Sequence, residues 1–132
     1  MRYFFDNCMS IRLAYALQNL EGESGVQIVH LRKKFEAKET DSNWLAELGK
    51  EGNWIVLSGD WQITRRPHQR QALLSSGLTV FFMVDHYENH DVWEQSWRLV
   101  RWWPELCKMA HANPTRSAFK VHWSGNFKCN RI

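Results

Sequence analysis

At 132 residues, 44% of them apolar, the chain has the size and composition of one folded domain and not of a disordered segment. Its formal charge of +3, from 17 basic and 14 acidic residues, is compatible with nucleic acid but does not single it out. Three widely spaced cysteines, Cys8, Cys107 and Cys129, give neither a zinc motif nor a disulfide framework. Met1 to Asp6 is too short in apolar residues for a signal peptide, and no run approaches the ~20 apolar residues of a membrane span, so a cytoplasmic protein away from membranes is expected.

Tyr3-Phe4-Phe5 reads as a first strand ending at Asp6-Asn7. Ser10 suits the N-cap of a helix with Leu13, Leu17 and Leu20 on one face, stopped by Gly22 and Gly25. Val26 to Leu31 is a second strand, followed by a charged loop from Arg32 to Glu39. Thr40-Asp41 opens a helix with Trp44, Leu45 and Leu48 at helical spacing. Trp54 to Leu57 is an unbroken apolar run between Gly52-Asn53 and Ser58-Gly59, the pattern of a short strand buried on both faces. Pro67 starts a helix running to about Ser76, and Leu78 to Val84 is a fourth strand. A polar loop leads to a long helix carrying Trp93, Trp97 and Trp102, a set expected in the core; Pro104 ends or kinks it, Leu106, Met109 and Ala110 continue its apolar face, and Asn113-Pro114 breaks it. Phe119 to Trp123 alternates like a half-exposed edge strand, and Phe127 to Ile132 is a basic tail without clear structure. The order strand, helix, strand, helix, strand is that of parallel βαβ units with right-handed crossovers.

Strands of a parallel sheet point one way, and ligands bind at their carboxyl ends. Asp6 follows the first strand, Asp60 the third, and Asp41 starts the helix that the second strand leads into, so the three carboxylates are expected on one edge. Taken singly, Asp41 also suits a helix cap and Asp60 a turn in Ser58-Gly59-Asp60. Together they repel unless compensated, and a hard cation such as Mg2+ or Mn2+ compensates with oxygen ligands. A metal held at such an edge can activate water against a phosphodiester. Arg32, Lys33, Arg65 and Arg66 flank the same edge as candidate phosphate contacts, although each group also reads as a solvated loop. Asn7, Ser10, Glu47, Ser58 and Asp85 are candidates for supporting roles, with capping and turn roles competing for the two serines. His86 and His90 sit in a predicted loop without a third strong ligand, a poor zinc site. Cys8 lies beside Asp6 without a histidine placed to activate it.

The segments Phe4-Phe5-Asp6-Asn7 with Ser10, Val29-His30-Leu31-Arg32, Thr40 to Leu45, Ile55 to Asp60, Arg65-Arg66-Pro67, Ser76 to Phe82 and Trp93 to Trp97 carry a resemblance. In order and spacing they resemble the PIN-like ribonuclease domains of VapC-like toxins, over about the first 105 residues of a single 1–132 domain. The resemblance implies a three-layer α/β/α sandwich around a mainly parallel sheet. It also implies a Mg2+- or Mn2+-dependent endoribonuclease, the toxin half of a toxin–antitoxin pair, with RNA as substrate and an antitoxin protein or a second copy as partner. Asp6, Asp41 and Asp60 would be the catalytic, metal-holding acids. The sequence departs from the pattern in lacking an unambiguous fourth acidic residue and in placing Cys8 in the loop after Asp6. The alternatives are a non-catalytic PIN-like module that binds RNA or protein, and a nuclease or phosphatase acting on another phosphate ester.

Overall fold

In the computed structural model, which describes residues 1–36 and 38–132, the strand side chains divide between two cores. β1 (Arg2–Phe5) sends Tyr3 and Phe5 to one face of the sheet and Phe4 to the other. β3 (Trp54–Ser58) splits Ile55 and Leu57 from Trp54 and Val56, and β4 (Thr79–Met83) splits Phe81 and Met83 from Val80 and Phe82. Strands apolar on both faces require cover on both. On the first face α1 (Ile11–Glu21) and α5 (Val92–Ala112) supply Leu13, Leu17, Leu99, Trp102 and Leu106. On the second, α2 (Leu31–Lys34) and α3 (Asp41–Glu51) supply Leu31, Trp44, Leu45 and Leu48. A short 3-10 turn, Trp61–Thr64, adds Ile63 there, and α4 (Pro67–Ser76) adds the partly buried Ala72 and Leu73. The result is the three-layer α/β/α sandwich.

Among the described residues the sheet has six strands in the order β2-β1-β3-β4-β5-β6, with β2 (Gln27–His30), β5 (Ala118–Val121) and β6 (Cys129–Arg131) completing it. β1 to β5 run parallel and β6 antiparallel. The chain steps from β1 outward to β2 and then back past β1 to β3. The carboxyl ends of β1 and β3 therefore flank the point where the winding reverses, which is where open α/β sheets place their ligands.

α1 and α5 cover the same face while carrying the chain in opposite directions across the sheet, so their crossovers have opposite hands. The β4–α5–β5 connection thus has the opposite hand to the three parallel connections before it. α3 and α4 already occupy the other face, whereas α1, at 11 residues, leaves room on this one for a helix of 21.

Three sequence expectations are corrected. The strand around Phe119 is not an edge strand: it lies between β4 and β6, and the tail beyond Phe127 supplies β6. The loop from Arg32 to Glu39 begins inside α2; Ala37, within that loop, lies outside the described residues. Pro104 lies inside α5, which runs on to Ala112 as the apolar face through Leu106 and Ala110 predicts; the proline sits on the exposed side, where water can take up the carbonyl that its missing N–H leaves free. Of the three tryptophans assigned to the core, Trp102 is buried, but Trp93 and Trp97 are 80% and 45% exposed, because α5 turns a different side toward the sheet.

Candidate active site

Asp6 is the buried end of the site. The N–H of Asp6 donates to the carbonyl of Leu57, extending the β1–β3 ladder by one residue and fixing the carboxylate between the two strand ends. Its side chain is 3% exposed and fully engaged. Oδ1 accepts from the N–H of Cys8 at 3.0 Å and of Gly59 at 3.4 Å, and Oδ2 accepts a short bond from Ser58 Oγ. Burial pushes its pKa up to about 7; the three donors pull the other way, and Asp41 adds a smaller upward push.

Ser58, fully buried at the end of β3, is the joint between two acids: its hydroxyl donates to Asp6 and accepts from the N–H of Asp60 at 3.0 Å. The turn that follows needs glycine at position 59, since a Cβ there would lie 2.9 Å from Cys8 Cβ. Asp60 caps the 3-10 turn, with Oδ1 accepting from the N–H of Gln62 at 3.0 Å, and its Oδ2 accepts from Arg66 Nη1 at 3.2 Å. Asp41 is the first residue of α3, while Thr40 is the cap. Its Oδ1 accepts from Trp44 Nε1 at 3.0 Å and its Oδ2 faces the same Arg66 nitrogen at 3.9 Å.

The three acids thus meet at one edge, joined by Ser58 on one side and Arg66 on the other. The Cys8 thiol among them is pushed up to about 12, by desolvation first and then by Asp6, Asp60, Asp41 and Glu88. That leaves Cys8 protonated and a poor nucleophile. A cleft of about 450 Å³ opens beside it, lined by Cys8, Gly59, Asp60, Trp61, Gln62, Met83, Val84, Asp85, His86 and Glu88. At its rim Asp85 and His86 both take left-handed backbone (φ 59° and 61°), a strained pairing of non-glycine residues.

The supporting candidates divide. Ser10 caps α1, accepting from the N–H of Leu13 at 3.3 Å. Asn7 is exposed and accepts from Arg32 Nε at 3.0 Å, which brings Arg32 to the edge. Lys33 instead lies over the Tyr15 ring of α1, and Arg65 is exposed on the loop before α4. Asp85 lines the cleft, but its Oδ2 accepts from the N–H of Trp123 at 3.0 Å and contacts His122 Nδ1 at 3.1 Å; the backbone bond chiefly holds its pKa down. Glu47 is not brought to the group: six residues on from Asp41 it has turned about 240° round the helix, and it pairs with Lys50. His90 stacks on Trp123, with centroids 3.8 Å apart.

Two contributors escaped the sequence reading. Glu88 lies in a short 3-10 turn (Tyr87–Asn89) within the segment read as polar loop, and its irregular backbone gives no periodic signal. His30, buried at the end of β2, donates from Nε2 to the carbonyl of Met9 at 2.7 Å and accepts on Nδ1 from the N–H of Arg32 at 3.2 Å. These two bonds define one neutral tautomer, which clamps the Asp6–Ser10 loop to the second strand; burial lowers its pKa.

For a divalent cation the donor set is right in kind, since Asp6, Asp41 and Asp60 offer hard oxygens. Among the described residues, however, no three His, Cys, Asp or Glu side chains are closed up into a metal-holding group.

A mainly parallel α/β/α sandwich with carboxylates gathered at its switch point defines an open-sheet protein with an acidic edge site. A family model for a PIN-like domain matches residues 1–85, well over half of the chain, and the chain belongs to this PIN-like family. Membership gives it a nuclease-type fold and, at that coarse level, groups it with hydrolases. No curated protein and no solved structure matches it.

Proposed function

We propose that the chain is a Mg2+- or Mn2+-dependent endoribonuclease that hydrolyses RNA phosphodiesters at the edge formed by β1 and β3, and that it is the toxin of a toxin–antitoxin pair. The observation that carries this reading is the meeting of Asp6, Asp41 and Asp60, from three distant parts of the chain, beside an open cleft. These three would hold the cation, which supplies a Lewis acid for the phosphate and an acidified water. Asp6, whose burial raises its pKa to about 7, is an acid whose ionised form a cation beside it would favour. Ser58 keeps the Asp6 carboxylate oriented and ties Asp60 to it. Arg65, Arg66 and the Asn7-held Arg32 take the RNA phosphates on either side of the cleft, where a guanidinium matches a phosphate in charge and shape. An antitoxin protein and a second copy of the chain are the proposed macromolecular partners.

The second reading is a PIN-like module that binds RNA or protein without cutting, and the absence of a closed metal-holding group among the described residues is what favours it. Offering the purified protein RNA, DNA of the same sequence and a small phosphate ester in Mn2+ separates the cases. The nuclease reading expects RNA cleaved at least about 100-fold faster than the others. Equal cleavage of DNA moves the substrate class, and RNA binding without cleavage of anything selects the second reading.

A further inference from the structure

Arg66 stands where a cation is needed. Its Nη1 lies 3.2 Å from Asp60 Oδ2 and 3.9 Å from Asp41 Oδ2, and donates to Gln69 Oε1 at 3.0 Å. Asp60 follows β3 and Asp41 begins α3, so one side chain joins two acidic arms that the local chain does not tie together. Neighbouring carboxylates repel, and a positive charge between them removes much of that cost.

We infer that Arg66 is a built-in counter-cation that competes with the divalent metal for Asp41 and Asp60. In the metal-free protein it neutralises the two acids and keeps the group from closing; metal entry releases it toward the RNA phosphate. The inference rests on the metal-dependent reading above. The hold is of a releasable kind. Arg66 is the residue before Pro67 at the start of α4, its side chain makes no capping bond to the helix, and it is 51% exposed. It can swing out without unwinding the helix, and its 3.9 Å approach to Asp41 is loose.

Arg65 supplies the control. It carries the same charge one residue away, and among the described residues it makes no ion pair with Asp41 or Asp60. Mn2+ is titrated calorimetrically into the wild type, Arg66→Gln and Arg65→Gln, each first checked by thermal melting. Removing a like charge that lies 3.2 Å from the Asp60 carboxylate and 3.9 Å from that of Asp41 is expected to tighten Mn2+ binding about tenfold in Arg66→Gln, and to leave Arg65→Gln within about twofold of wild type. Equal affinity in wild type and Arg66→Gln, or an equal gain in Arg65→Gln, overturns the inference while the metal site stands. Failure of all three proteins to bind Mn2+ overturns the metal site and the inference together. If Arg66→Gln melts far below wild type, Arg66→Lys takes its place; the shorter side chain reaches the acids less well, and a gain of about threefold is expected, with no gain counting against the inference.

Discussion

Asp6 and Ser58 carry the buried half of the site, and their environment has measurable consequences. The folded pKa of Asp6 is raised from 3.8 to about 7, so the folded state holds a proton that the unfolded chain releases between about pH 4 and 7. Its contribution to stability is therefore favourable at the acidic end and lost as pH rises through 7, by about 4 kcal/mol at most. His30 works in the opposite sense, losing stability as pH falls below its ordinary range, so the clean observable is a difference. In EDTA, the melting temperature of Asp6→Asn minus that of wild type is expected to grow from pH 5 to pH 8; a flat difference would show that Asp6 is not buried as a proton-binding acid. Ser58→Ala removes the donor to Asp6 and the acceptor for the Asp60 N–H together. It is expected to cost about 2–4 kcal/mol by denaturant melts and to lower RNA cleavage at least tenfold. At this scale the sequence was legible where a carboxylate follows a buried strand, as Asp6 does. Ser58 could be named only as a supporting candidate, since its two partners are known only once β1 and β3 are paired, and His30 looks like one more strand residue until its ring meets Met9.

Elements were legible to the degree that their residues declare a period. The doubly apolar run Trp54–Leu57 announces a central strand, and Ser10 and Thr40 announce two helix starts that the structure keeps. α5 misled because a tryptophan's size argues for burial while its position round the helix decides it: Trp102 faces the sheet, whereas Trp93 and Trp97 face outward. β6 was illegible because three residues, mostly exposed, show no alternation and exist as a strand through pairing with β5. The contact between α3 and α4 also depends on tertiary structure. A Cβ on Gly49 would stand 2.8 Å from the carbonyl oxygen of Ser76, a backbone atom that cannot turn aside. Gly49→Ala, a change that raises helix propensity, is nonetheless expected to destabilise by about 1–3 kcal/mol. An unchanged or raised melting temperature would mean that the two helices do not pack as closely as described.

For the whole molecule, topology makes the site. Winding outward to β2 and back past β1 to β3 places two strand ends side by side at the reversal, and α3 starts on the same edge. That is why acids 35 and 54 residues beyond Asp6 in the chain arrive beside it. The return through α5, opposite in hand to the earlier connections, leaves this arrangement intact, because it acts on the far side of β4. The most direct test is cleavage of a single-stranded RNA in Mn2+ by wild type, Asp6→Asn and Asp60→Asn at equal concentration, with melting curves showing that all three are folded. Loss of at least about 100-fold in both variants, with wild-type cleavage abolished by EDTA, is the expected result. Undiminished cleavage by both folded variants would contradict a carboxylate-edge nuclease outright.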